Sequence, residues 1–271
     1  MDPFAINAQV QISAAAMRRI RRGHLWVYAG EVESEPFDHE PAIVRVVDGA
    51  SKIIGHAFYS RKSQIRLRFL SRDPEPPGPE LLRSRIANSI GRRGNLSVEG
   101  TACRLIFGEA DLLPSIIVDR YGEYLALQTL SSGADAIKPV LVDILRDLLR
   151  PAGIFERNDV KARLLEGLDE VRGLLWGTVP EEVEIHEDGV RFLVDVRRGQ
   201  KTGFFLDQSQ NRLAAARHAS GRVLDCFTNT GAFALHFAPR ADSVLAVDIS
   251  SESLLQARRN CDMNGFGNVE F

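Results

Sequence analysis

"VLDCFTNTGAF", Val223 to Phe233, decides the fold. Val223 and Leu224 lead into Asp225 and Cys226, and the polar turn Thr228-Asn229-Thr230 closes on Gly231. A short apolar strand that delivers a carboxylate to a tight turn, with a short helix from Gly231 to Ala238 stopped by Pro239, is one half of a repeating unit. The other half follows at once. Ser243 to Asp248 reads as a strand, and Ser251 to about Met263 reads as a helix closed by Asn264-Gly265. Strand, helix, strand, helix is the opening of a doubly wound α/β sheet. Upstream, "VEIHEDGVRFLVDV" (183–196) reads as a hairpin with a Glu-Asp-Gly turn. "RRGQKTGFFLDQSQNRLAAARHASG" (197–221) then runs from a glycine-bounded loop into a helix ended by Ser220-Gly221.

Ligands of open α/β sheets bind outside the carboxyl ends of the strands. Asp225 and Asp248 both fall there, 23 positions apart. That spacing is close to the ~20 between the turn and the ribose-binding acid of dinucleotide sites. Asp248 therefore suits the ribose hydroxyls of an adenosine. A pyrophosphate, however, asks for bare amides in a GxGxxG turn. Here only Gly231 remains, and Asp225 would repel the anion. S-adenosylmethionine (SAM), with an ammonium, a sulfonium and no phosphate, fits an acid at that point. The Thr228 and Thr230 hydroxyls and the turn amides are expected to meet its carboxylate. A lone threonine-glycine turn leaves NAD open as the alternative. "GQKTGFFLDQSQNR" adds Phe204 or Phe205 to stack on adenine, and Asp207 and Gln208 to hold polar edges. In the competing reading Asp207 is only a helix N-cap and the phenylalanines are core.

The rest of the chain is read around that unit. Its 271 residues carry a formal net charge of -2, with 44% hydrophobic and 26% charged residues, as in an ordinary globular protein. No apolar run reaches the ~18 residues of a membrane span, and the first residues, without a basic start followed by an apolar core, are not expected to act as a secretory signal. The three cysteines, Cys103, Cys226 and Cys261, are far apart and unpaired in spacing. They point to a reducing, cytoplasmic setting with neither disulfide nor zinc. The six histidines show no ligand spacing, so no metal is expected. Residues 1–73 read as short strands, "AIVRVVDG", "IIGHAFYS" and "QIRLRFLS". In the last, Ile65, Leu67 and Phe69 alternate with Gln64, Arg66 and Arg68, which predicts one buried and one cationic face. With "RRIRR" (18–22) this suits a small barrel facing the phosphates of a nucleic acid, or simply a solvated face. "RDPEPPGPE" marks a linker. Residues 74–181 read as α+β: helices over "PELLRSRIANSIGRR" and "ADAIKPVLVDILRDLLR", strands over "TACRLIFGEADLLPSIIVDRYGEYLALQTL" and "GIFERND". A packing role is the expectation there.

Several blocks together resemble one family: "RRGHLWVYAGEV", "LPSIIVDRYGEYLALQ", "RNDVKARLLEGL", "VEIHEDGVRFLVDVRRGQKTGFFLDQSQNR", "VLDCFTNTGAFA" and "VDIS". The chain is similar along its length to the bacterial SAM-dependent 23S ribosomal RNA 5-methylcytosine methyltransferases with an N-terminal PUA domain. The resemblance implies a PUA-like β-barrel (1–73), a small α+β domain (74–181) and an incomplete Rossmann-like class I methyltransferase domain (182–271). It also implies a SAM pocket lined by Phe205, Asp207, Gln208, Asp225, Thr230, Gly231 and Asp248, and RNA as partner. One departure falls in "EADLLPS", where such sequences often carry glycine at the Leu112 and Ser115 positions.

In that family a fourth strand with an Asp-Pro-Pro motif and a cysteine nucleophile are expected beyond Phe271. Carbon-5 methylation of cytosine needs a thiolate added at carbon 6. Cys261 is expected to face away from the ligand and Cys226 to be a small packing residue, so no catalytic residue is assigned. The chain alone is expected to be inactive. The strand over Arg222 to Phe227 becomes an open edge that invites a homodimer or strand-exchanged oligomer. Two further readings stay open: an RNA-binding fragment without catalysis, and a SAM chemistry on another atom or substrate.

Overall fold

A computed structural model describes residues 2–94 and 101–271. The chain divides into two compact units: residues 1–93, 104–119 and 124–178 form the first, and 94–103, 120–123 and 179–271 the second.

The first unit opens with β1 (Gln9–Ile12), α1 (Ala14–Arg21), β2 (Trp26–Tyr28), β3 (Val32–Ser34), β4 (Ile43–Val47), β5 (Ile53–Tyr59) and β6 (Ile65–Ser71). The six strands form one sheet in the order β2-β6-β5-β4-β1-β3. Ser13 caps α1 by accepting from the Ala16 amide at 3.2 Å. Val10, Ile12, Ile20, Val27, Val46, Leu67 and Phe69 form the shared core. Their alternation along β4 and β6 is the period-two signal legible in the sequence.

The other side of β6 corrects the expectation of a cationic face. Arg68 is only 7% exposed and donates to both carboxylate oxygens of Glu166, at 3.2 and 2.7 Å. Arg66 lies 3.6 Å from Glu35 and over the Tyr59 ring. Alternation defines two faces of a strand, but a segment a hundred residues on decides which of them meets water.

The chain continues with α2 (Pro79–Arg93), β7 (Ala102–Phe107), β8 (Ile116–Tyr121), β9 (Tyr124–Thr129), α3 (Ser132–Ala136), α4 (Lys138–Leu149), β10 (Gly153–Asn158) and β11 (Val171–Gly177). Strand order is β11-β10-β9-β8-β7, with β9 and β10 parallel and β11 antiparallel to β10. The single helix expected over "ADAIKPVLVDILRDLLR" is two helices, because Pro139 at the start of α4 has no amide to continue α3. Leu141, Ile144 and Leu145 of its stripe are buried.

The second unit holds β12 (Val183–Glu187), β13 (Val190–Val194), α5 (Ser209–Ala216), β14 (Arg222–Cys226), α6 (Ala232–Phe237), β15 (Ser243–Val247), α7 (Ser251–Asn264) and β16 (Val269–Glu270). The β12–β13 hairpin turns through Asp188 (φ 46°) and Gly189 (φ 79°), the paired left-handed residues of a two-residue turn. β14, β15 and β16 form a parallel sheet in that order, with Asp225 opposite Ala246 and Cys226 opposite Val247. Val223 and Ala234 belong to the apolar cluster with Val244 and Ala246. On the other side of β14, Leu224 is 59% exposed and Cys226 is exposed too. Cys226 is therefore not the packing residue expected of it, since the pleat that turns Asp225 inward turns its neighbour out. Cys261, on α7, is buried, with its thiol on the Phe266 carbonyl.

Candidate cofactor site

The strand order sets the site. β14 and β15 are parallel neighbours, so Asp225 and Asp248 reach the same end of the sheet. Asp225 is 9% exposed, and its Oδ2 accepts from the Thr228 hydroxyl at 2.6 Å and the Ala234 amide at 3.1 Å. The carboxylate thus caps the first turn of α6 from outside the helix. Its Oδ1 makes no hydrogen bond among the described residues. Burial pushes the Asp225 carboxyl above its ordinary range; the Thr228 and Ala234 bonds oppose this and the charge of Asp248 adds to it. An acid held half-reluctant to ionise gains most from a cation arriving beside it. Asp248 is fixed by two amides, Asn229 at 2.8 Å and Ser250 at 2.9 Å, one on each oxygen. An ionised carboxylate has lone pairs left to accept from a ribose diol.

The turn between β14 and α6 is strained. Phe227 (φ 64°) and Asn229 (φ 52°) are both left-handed without being glycine, and Phe227 is 87% exposed. Strain of this kind, of order 1–3 kcal/mol per residue, persists where surrounding bonds impose it. Thr228 turns inward to Asp225, so its hydroxyl is not the free donor that the sequence suggested. Gly231 (φ 84°) starts α6, and a Cβ there would press on Ala257 of α7 at 3.2 Å. Thr230, partly exposed beside it, has its carbonyl held by the Asn260 side chain at 3.0 Å.

Phe205, Asp207 and Gln208 lie on the turn that leads into α5. Phe204 is core, 5.1 Å from Phe192 ring to ring, which leaves Phe205 as the accessible aromatic of the pair. The Lys201 ammonium sits 4.5 Å over the Phe205 ring and 2.7 Å from Asp207, and that hydrogen bond holds the Asp207 carboxyl below its usual range. Asp207 makes no capping bond: Gln208 occupies the cap position of α5 and gives none either. The polar cluster is therefore not explained by capping.

Three residues that the sequence reading left unassigned, Arg212, Glu187 and Asn260, hold these pieces. Arg212, buried, donates to both oxygens of Glu187 at 2.5 and 2.7 Å and to the Phe205 carbonyl at 3.1 Å. Its guanidinium also covers the Phe204 ring at 4.8 Å and approaches Phe233 of α6 at 6.0 Å. Arg212 thus joins the aromatic turn to the helix that starts at the acid turn. Asn260, fully buried, accepts from the Leu193 amide at 2.9 Å while holding Thr230. An asparagine inside a helix is a poor helix former, and that was the available signal for it.

A Rossmann-like unit that ends two adjacent parallel strands in carboxylates, around one glycine turn, has the build of a SAM-dependent methyltransferase. Residues 167–271 match the S-adenosylmethionine-dependent methyltransferase family, and residues 10–72 match the PUA-like domain family. SAM is the cofactor. Among curated relatives, "Ribosomal RNA large subunit methyltransferase I" of Aeromonas hydrophila is 35% identical over 98% of this chain and 70% of its own length. The protein of the same name from Tolumonas auensis is 38% identical over 96% of this chain and 67% of its own. The chain belongs to the ribosomal RNA large subunit methyltransferase I family. Its fold is also that of a Streptococcus mutans protein described as a SAM-dependent methyltransferase, with TM-score 0.82 at 22% identity over 98% of this chain and 70% of that one. A methyltransferase solved in complex with SAH superposes with TM-score 0.84, also at 22% identity, over 98% of this chain and 69% of its own.

Proposed function

We propose that the chain serves the transfer of a methyl group from SAM to ribosomal RNA, with carbon 5 of a cytosine in 23S RNA as the acceptor. The observation that carries the donor half is the pair Asp225 and Asp248 beyond adjacent strands, one poised for a cation and the other for a diol. Phe205 stacks on the adenine, Asp207 and Gln208 hold its polar edges, Thr230 and the turn amides meet the carboxylate, and Gly231 lets the turn approach. The RNA half is supported by the PUA-like match and by the names of the relatives.

The chemistry constrains the rest. A thiolate adds to carbon 6 of the cytosine, carbon 5 attacks the sulfonium methyl and releases S-adenosylhomocysteine, and a base removes the carbon-5 proton as the carbon 6–sulfur bond breaks and frees the thiolate. Cys261 is unsuited to that role, because burial raises its thiol and its Sγ is engaged by Phe266. Calorimetry with SAM tests the donor site. Asp248→Ala should weaken SAM binding roughly ten- to hundredfold, the range of a charged hydrogen bond lost, and leave RNA affinity unchanged. Equal loss of both would show that the pocket is misassigned.

A further inference from the structure

The first unit contains a cleft of about 500 Å³ lined by residues of β2, β6 and the turn Lys161–Glu166. Its walls are mainly apolar. Trp26, Ile65, Leu130 and Leu165 contribute, and Leu165 is 74% exposed at the rim. A leucine left that open beside a tryptophan in a concave site is a wall without a partner. The volume lies in the range of small-molecule and nucleotide sites.

The polar groups say what enters. Arg68 and Glu166 neutralise each other within the lining through their paired hydrogen bonds. The Trp26 indole N–H donates to Glu109 Oε1 at 2.9 Å, which sets the ring orientation and leaves Oε2 as an acceptor. Gln64 lines the same cleft, and its exposed carboxamide makes no hydrogen bond among the described residues. Beside that neutral pair the lining thus offers the Glu109 carboxylate, with one oxygen free to accept, and the Gln64 carboxamide, which both donates and accepts. That is the complement of an uncharged heteroaromatic ring bearing amine and carbonyl groups. Lys62 adds a positive charge to the same lining. Its ammonium has no carboxylate partner among the described residues, and its stem lies so close to Gly167 (φ 73°) that a Cβ there would overlap it. A cation without a carboxylate partner, in the same cleft as an apolar wall and hydrogen-bonding groups for a ring, matches one phosphate attached to one base.

We propose that this cleft is a second nucleotide site, which takes an unstacked base of single-stranded RNA against Trp26 and Leu165 and its phosphate on Lys62. Neither Asp225 nor Asp248 lines it. The site anchors substrate rather than transforming it. Paired RNA cannot supply such a base, because its rings are already stacked. The proposal rests on RNA being the substrate.

The chain has two tryptophans, and Trp176 lies on β11 under the Arg146 guanidinium, outside the cleft. In a Trp176→Phe protein, emission therefore reports Trp26 alone. The test titrates the full chain with a fluorescein-labelled single-stranded RNA dodecamer and with the same strand annealed to its complement, reading anisotropy and Trp26 emission together. The expected result is quenching of Trp26 that saturates with the anisotropy for the single strand and is absent for the duplex. Leu165→Asp, at an exposed position, should weaken single-strand binding roughly five- to hundredfold, the range of a lost stacking wall. Lys62→Gln should lower the salt slope by about one. SAM heats should be unchanged in both variants. Anisotropy that rises while Trp26 stays silent, equal quenching by duplex, or variants that bind as the parent does would overturn the site. No anisotropy change with any RNA would remove the RNA reading and this site together, while retained SAM heat would leave the donor pocket standing.

Discussion

Both units bury an arginine in a forked bond to a glutamate, and the two pairs do different work. Arg212 with Glu187 sits behind the aromatic turn of the donor site, and its third contact, the Phe205 carbonyl, belongs to that site. Arg68 with Glu166 joins β6 to a turn about a hundred residues further on, and its third contact is the nearby Ile65 carbonyl. The chemistry is the same and the side chains are similarly enclosed, at 1% and 13% exposed for the first pair and 9% and 3% for the second. The difference is what the guanidinium touches after its carboxylate is satisfied. A buried ion pair is weak evidence for stability, because desolvation offsets much of its Coulomb attraction. One pair is better understood as positioning a ligand site, the other as fixing how two segments meet.

The largest effects should come from breaking either pair by one partner. Arg68→Ala strands the buried Glu166 and should lower unfolding free energy by about 3–5 kcal/mol in a denaturant titration, and Arg212→Ala, which strands the partly buried Glu187, should cost somewhat less. The double changes Arg212→Met with Glu187→Met, and Arg68→Met with Glu166→Met, remove both charges and should recover most of that loss. They separate the two roles. The first double variant should stay deficient in SAM binding, whereas the second should bind SAM as the parent does. If both doubles bind SAM normally, Arg212 does not position the donor turn.

A smaller and graded effect should follow pH at the acid turn. The Asp225 carboxyl lies above its ordinary range mainly through burial. In the unliganded protein its folded pKa exceeds the unfolded one, so its favourable contribution to stability is present at low pH and is lost as pH rises through the folded value. A cationic donor binds the ionised form. SAM affinity should therefore be level above that folded pKa and fall toward tenfold per pH unit below it, with proton release on binding in that window. Asp225→Asn should abolish the pH dependence and lower the affinity, while stabilising the unliganded protein above the window. A wild-type affinity that is flat from neutral pH down to pH ~4 would mean that Asp225 does not face the cation.

How much of this the sequence disclosed follows from the range of each interaction. The parallel unit was legible because a strand, a turn and a helix are local, and "VLDCFTNTGAF" together with "VLAVDIS" states both acids and their order. The hairpin was legible from Asp188-Gly189. The core face of β6 was legible from Leu67 and Phe69, but the fate of Arg68 was not, because Glu166 is 98 positions away. Within the site, Phe205 and Phe204 could not be told apart by spacing, since packing on Phe192 decides between them. Thr228 and Thr230 read as equivalent hydroxyls until the turn folded one of them onto Asp225. The last two misses concern which of two chemically equal neighbours faces inward, and tertiary contacts settle that.

The two units also differ in how they hold left-handed backbone, and this gives the smallest test. In the acid turn, Phe227 and Asn229 are bent where a ligand is expected. In the first unit, Leu112 (φ 57°) and Ser115 (φ 63°) are likewise left-handed without being glycine. That loop is held by Asp111, which accepts from the Phe107 amide, Arg92 and Arg93; their bonds outweigh the burial of its carboxyl and keep it below the usual range. An imposed loop tolerates side chains that its backbone disfavours. The left-handed penalty is roughly 1–2 kcal/mol for a residue with a Cβ, against the 0.4–1 kcal/mol that glycine loses through the freedom of the unfolded chain. Leu112→Gly should therefore gain up to about 1 kcal/mol, seen as a rise of roughly 2–4 °C in Tm, with SAM binding unchanged. Asn229→Gly should relieve similar strain but loosen the bend that presents its amide to Asp248, so it should weaken SAM binding. If Asn229→Gly binds SAM as tightly as the parent, the strain in the acid turn has no functional part, and the contrast between the two loops fails.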